Sequence, residues 1–173
     1  MDGENIISSQ NSQQKALAFL DGMGIAYALQ EHPAVYTCEE AALYDNGDGA
    51  ADCKNLFLTN AGKSGYFLAI IEASKKLRAK ELSRSLGEKG LTFASEDDLL
   101  RLLGLTTGAV SPFGLVNDGS RVVTVIIDNS ILSYNKLKFH PNVNTASVTL
   151  KTEDFMAVLQ HLGNKLICMD MNS

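Results

Sequence analysis

The apolar positions of this 173-residue chain change their period several times, and each change marks an element. Ala16, Leu17, Phe19 and Leu20 fall on one side of a helix that Ser12 can cap and that Gly22 and Gly24 end. The polar residues 1–11 ahead of it read as a flexible N-terminus. Alternation over residues 25–30 predicts a strand, stopped at His32-Pro33 because a residue before proline is held out of the helical region. Thr37-Cys38-Glu39-Glu40 has the form of a capping box, and the cluster Asn46-Gly47-Asp48-Gly49 stops the helix it opens. Residues 54–59 and 66–71 are apolar runs joined by a glycine-bearing turn, which predicts an antiparallel hairpin.

Further along, residues 79–86 read as a helix and 91–94 as a short strand. Ser95 opens another helix, with Glu96, Asp97 and Asp98 placed against the positive end of its dipole and Gly104 closing it. Strands follow at 122–127, 137–139 and 146–150, then a helix capped by Thr152 and running to Leu162, then a last strand at 165–169. Hairpins and helical crossovers alternate irregularly, which predicts an α/β fold with a central mixed sheet packed by helices. With 45% hydrophobic and 20% charged residues, 12–173 should form a single domain around one core.

Composition narrows the functional classes. No apolar run approaches the roughly 18 residues needed to span a bilayer, and the first residues lack the charged-then-apolar order of a signal peptide. A soluble, cytoplasmic protein without a membrane partner is the expectation. Cys38, Cys53 and Cys168 are odd in number and have no CxxC spacing, which favours neither a zinc site nor a disulfide framework. The three histidines are scattered and form no metal-binding motif. A net charge of −5 opposes strong non-specific binding to nucleic acid. Residues 75–89 run the other way, with Lys75, Lys76, Arg78, Lys80, Arg84 and Lys89 against Glu81 and Glu88. They form either a basic face on an acidic body or an ordinary solvated helix surface.

Three segments could carry chemistry. Lys54-Asn55 stands at the head of an apolar strand, where a cation and an amide can project toward a ligand and hold developing negative charge; a strand-edge lysine that discourages aggregation is the plainer reading. Residues 104–114 form a glycine-rich loop with a Gly-x-x-x-Pro run from Gly108 to Pro112, able to bring backbone amides close to a ligand or simply to connect two elements. The loop has neither the Lys-Ser/Thr ending of a P-loop nor a GxGxxG fingerprint. In residues 139–145 a strand breaks at His140-Pro141 and is followed by Asn142 and Asn144, which can line a small pocket or only form Asx turns. Ser111 lacks the GxSxG elbow of a serine nucleophile, and no cysteine has a local signature naming a histidine partner.

Taken in order, KNLFL (54–58), YFLAII (66–71), LTFAS (91–95), GAVSPFGLVND (108–118) and FHPNVNTASVTL (139–150) resemble the YbaK/ProX prolyl-tRNA editing family, over residues 12–169. The resemblance implies one α/β editing domain, related to the editing insertion of bacterial prolyl-tRNA synthetase, that hydrolyses mischarged tRNA without a metal or other cofactor. Its main functional lysine falls on Lys54, and Gly108 joins it as a catalytic position. Asn55, Ala109, Val110, Ser111, Pro112, His140 and Asn142 are implied to bind substrate. The implied partners are mischarged tRNA, that for proline first, and prolyl-tRNA synthetase. KNLFL and FHP…VNTA look most like members that clear alanine from proline tRNA. Members that clear cysteine, serine or threonine are close alternatives, and a non-catalytic aminoacyl-tRNA or amino-acid sensor is another. The chain departs from the family where Asn142 replaces a common leucine and where Ser111-Pro112-Phe113-Gly114 replaces Thr-Pro-Phe-Ala, both in segments expected at the pocket.

Overall fold

The structure is a computed structural model that describes the backbone of residues 2–171 and the side chains of residues 10–171. Its centre is an eight-stranded mixed sheet of strands β1 (Tyr27–Glu31), β2 (Ala51–Thr59), β3 (Tyr66–Glu72), β4 (Thr92–Phe93), β5 (Val123–Asp128), β6 (Lys136–Phe139), β7 (Ala146–Lys151) and β8 (Leu166–Met169). The spatial order is β1-β7-β6-β2-β3-β5-β8, with the short β4 also paired to β2. The β2–β3 pair is the predicted hairpin, in register from Cys53 opposite Glu72 to Thr59 opposite Tyr66. The pairs β2–β6, β3–β5 and β5–β8 are parallel, which makes the sheet mixed as the irregular alternation implied.

Helices α1 (Asp2–Gly22), α4 (Glu96–Leu103) and α5 (Thr152–Leu162) cover one face, where Leu20, Leu103 and Phe155 meet Leu68, Val125 and Val148. Helix α3 (Ala79–Leu86) covers part of the other face, setting Leu82 against Leu58, Ala69 and Ile126. Burying each large aliphatic side chain there contributes roughly 1.5–3 kcal/mol. Beyond α3 the second face is covered by residues 33–50, a loop segment carrying the one-turn helix α2 (Cys38–Ala42).

Several boundaries differ from the sequence reading. The first helix starts at Asp2, so residues 2–11 continue it rather than fray; no proline or glycine beyond Gly3 interrupts this stretch, and Met1 lies outside the described residues. Thr152 is the first residue of α5 and not its cap, because its hydroxyl donates to the Tyr134 carbonyl. Ser12, expected as the cap of the first helix, lies inside it, whereas the caps at Thr37 and Ser95 are as expected. Thr37 accepts from the Glu40 amide with the Glu40 carboxylate reaching back, and Ser95 accepts from the Asp98 amide.

Candidate functional site

Strands β2 and β6 run parallel but pair over only two positions, Ala51 with Leu137 and Asp52 with Lys138. Beyond these, β2 commits its hydrogen bonds to β3, and β6 continues beside β7 with Phe139 opposite Val148. A cavity of about 330 Å³ opens where the two strands part. It lies beyond the carboxyl end of β6 and alongside the amino-terminal half of β2, from Asp52 to Leu56. Its size is at the lower end of small-molecule sites.

Strand alternation sets which side chains β2 presents on each side. Ala51, Cys53 and Phe57 face the larger core, so Asp52, Lys54 and Leu56 face the opposite side. Lys54 is half-buried against the cavity and makes no ion pair with a described residue. Asn55 donates to the Val110 carbonyl at 3.4 Å, which ties the glycine loop to β2, while its Oδ1 accepts from no described residue. Gly108 has φ +89°, a conformation that side chains strongly disfavour, and a Cβ placed on it would lie 3.7 Å from the ring of Tyr36.

His140 enters the wall from the end of β6. Its Nδ1 lies 2.9 Å from the Ala146 carbonyl, which can only accept, so Nδ1 carries the proton and Nε2 is left as an acceptor. Burial holds its pKa below the usual histidine range, the Ala146 hydrogen bond opposes this, and nearby His32 adds to the lowering. His140 is therefore neutral at pH 7. His32 repeats the arrangement, with Nδ1 on the Pro33 carbonyl and Nε2 accepting from the Ser147 hydroxyl, and it stacks on Tyr44 at 5.1 Å.

Among the remaining predicted positions, the loop's later residues stand behind the wall. Ala109 is buried, and Ser111, fully buried, spends its hydroxyl capping the 3-10 turn Pro112–Asn117 through the Phe113 amide. Asn142 is also buried and donates to the Ser12 carbonyl at 3.4 Å. Neither family departure touches the cavity. Asn142 has φ +62°, which asparagine tolerates better than leucine. A Cβ on Gly114 would meet Leu105 at 2.6 Å and the Leu103 carbonyl at 3.0 Å, so glycine lets the turn approach α4 closely.

The profile of the aminoacyl-tRNA editing domain matches residues 32–158, most of the chain and all of the cavity wall. The chain belongs to the aminoacyl-tRNA editing domain family. It is 37% identical over 161 residues to "Prolyl-tRNA editing protein ProX" of Acetoanaerobium sticklandii, covering 93% of this chain and 98% of that one. It is 30% identical over 157 residues to "Prolyl-tRNA synthetase associated domain-containing protein 1" of Bos taurus, covering 88% and 91%. Among solved structures, one described as "a putative trans-editing enzyme for prolyl tRNA synthetase" superposes with a TM-score of 0.73 at 19% identity, covering 94% and 97%, which is a likeness of fold.

Within this editing domain, sequence reasoning missed one charged centre. Lys138 is buried, and its ammonium lies 3.7–3.8 Å from Asp45, Asp48 and Asp52. It holds the loop after α2 down on the sheet beside Lys54. Burial raises the Asp52 pKa, Lys138 opposes this, and the charges of Asp45 and Asp48 add to it. The signal available was the alternation Lys136-Leu137-Lys138-Phe139, which turns Lys138 away from the core toward the same side as Asp52. Cys53 also lines the cavity, but burial and the adjacent Asp52 push its thiol far above the normal range, so it is no thiolate nucleophile. No helix among the described residues is long and apolar enough to cross a membrane. No group of three or more His, Cys, Asp or Glu among them is arranged to hold a metal ion.

Proposed function

We propose that this editing-domain protein removes alanine from mischarged proline tRNA, acting in trans in the cytoplasm. The observation that carries this is Lys54, a cation without an ionic partner among the described residues, facing a cavity at the parting of two parallel strands. An aminoacyl ester is already activated, so the protein need only position the carbonyl, stabilise the oxyanion and admit water. Lys54 holds the carbonyl oxygen or the adjoining phosphate. The Oδ1 of Asn55 receives the α-amino group, and the neutral His140 accepts a hydrogen bond through Nε2. Water adds to the carbonyl carbon, the bond to the ribose oxygen breaks, and that oxygen takes a proton, with the neighbouring ribose hydroxyl assisting the transfer.

The name of the ProX relative supports tRNA for proline as the carrier, and the small residues Ala41, Ala73 and Gly108 in the wall support a small amino acid. Serine through Asn142 loses its support, because that side chain is buried against Ser12 and away from the cavity. Prolyl-tRNA synthetase is the natural supplier of the substrate. In this reading Lys76, Lys80 and Arg84, exposed on the segment that follows Ala73 in the cavity wall, face tRNA phosphates. Two members of the basic run are otherwise engaged. Lys75 pairs with the buried Asp128 at 2.6 Å, and Arg78 pairs with Glu81 at 3.0 Å.

The test is release of amino acid from alanyl-, cysteinyl-, seryl- and prolyl-tRNA(Pro) by protein present at far below the tRNA concentration. Many turnovers on alanyl-tRNA are expected. Discharge of only one ester per protein molecule would identify a binding sensor instead.

A further inference from the structure

Tyr36 stands at the mouth of the cavity with 75% of its surface exposed, although the backbone around it is held firmly. Val35 is buried beneath it, its amide donates to the Asn144 carbonyl, and its own carbonyl accepts from Asn144 Nδ2. The Tyr36 amide donates to Glu40 Oε2 at 2.6 Å, and Thr37 closes the capping box on the same carboxylate. These bonds fix where the side chain starts and leave the ring itself in solvent. An aromatic ring set out this way on an anchored backbone offers its face for stacking with little side-chain freedom left to lose.

Its neighbours narrow the occupant. One ring edge lies beside Gly108, whose lack of a side chain keeps the mouth open. On the other side, Cys38 Sγ donates at 3.3 Å to the carbonyl of Ala73, and the exposed Lys76 and Lys80 follow a few residues later. An exposed aromatic beside a basic strip is the pairing that single-stranded nucleic acids use, bases stacking on the ring and phosphates meeting the cations. Lys54 and Tyr36 line the same cavity, so an ester held at Lys54 brings the base on its ribose into the space that Tyr36 borders.

We propose that Tyr36 is the stacking platform for the terminal adenine of the charged tRNA, so that the protein recognises its substrate as an aminoacyl nucleoside and not merely as an ester. This rests on the deacylase reading for its substrate, but it can be tested apart from it. The chain contains no tryptophan, so Tyr36→Trp installs a single indole reporter at the site. Titration with adenosine 5′-monophosphate should quench that emission saturably, and uncharged tRNA should do so at lower concentration.

In parallel, kcat/KM is measured on alanyl-adenosine and on alanine ethyl ester. The preference for the nucleoside ester should fall about tenfold in Tyr36→Leu, the scale of one base–aromatic stack, and should persist in Tyr36→Phe and Tyr36→Trp. An absent quench with an unchanged preference in a folded Tyr36→Leu protein overturns the proposal and leaves the ring to a protein partner. If the wild type hydrolyses neither ester, the deacylase reading fails, and the quench alone decides whether the platform exists.

Discussion

The two halves of the sheet differ in how their second face is closed. Through β3 and β5, residues Phe67 to Ile71 and Val125 to Ile127 are buried on both faces, with helices on one side and α3 on the other. Through β6, β7 and the start of β2, the core face is equally apolar, but the other face carries Lys138, Thr149, Asp52 and Lys54 beneath a segment of loop. The cavity beside Lys54 lies on the polar half, while the apolar half, among the described residues, shows only a much smaller hollow between α3 and the end of β8. The break in the double-sided apolar pattern, halfway along β2, is therefore what locates the site.

This contrast can be broken by substitutions that exchange the roles of the halves. In the polar half, Lys54→Ala should lower kcat/KM on alanyl-tRNA by about 100-fold or more while the thermal midpoint stays put. In the apolar half, Ile70→Ala should cost about 2–5 kcal/mol of stability. A folded and fully active Lys54→Ala protein would mean that the cation only protects a strand edge. Gly108→Val forces a branched side chain into a left-handed backbone, a strain of more than about 1–2 kcal/mol that the loop can relieve only by moving. We expect about a tenfold loss of kcat/KM with little loss of fold, and unchanged turnover would place the loop outside the site.

The basic segment sharpens the same division, because its charges serve both halves. Replacing Lys76, Lys80 and Arg84 together with Ala should reduce the slope of log affinity for tRNA against log salt by about 2–3. An unchanged slope makes the helix an ordinary solvated surface. Lys75→Ala, by contrast, leaves the buried Asp128 without its cation and should show mainly as lost stability.

The smallest expected effect is on pH dependence. Because His140 is held below its unfolded pKa, the folded state binds fewer protons than the unfolded state between its folded pKa and about 6.5. Its contribution to stability is complete above about pH 6.5 and is lost as the pH falls toward the folded value. His140→Gln should flatten denaturant midpoints measured across that window, and an identical pH profile would contradict the assignment.

Much of this was legible in the residues. The hairpin 54–59 and 66–71, the capping box at Thr37 and the glycine stops are local signals, and the Lys54, Asn55, Gly108, Val110 and His140 positions do meet at one cavity. What stayed hidden depends on partners distant in sequence. Lys138 is a solvated strand lysine until Asp45, Asp48 and Asp52 fold over it, and Lys75 belongs to a surface strip until Asp128 appears at its ammonium. Ser111 and Asn142 looked like ligand donors because a sequence does not show that a cap and a left-handed turn already claim them.

The central claim, that the cavity beside Lys54 sorts aminoacyl esters by the size of the amino acid, is tested most directly by competition. Alanyl-tRNA(Pro) and prolyl-tRNA(Pro) at equal concentration are offered to the same protein, and release of the two amino acids is followed together, so that the ratio gives the difference in transition-state binding. Release of alanine over many turnovers while proline stays esterified is expected. Equal release of both, or faster release of proline, would contradict it.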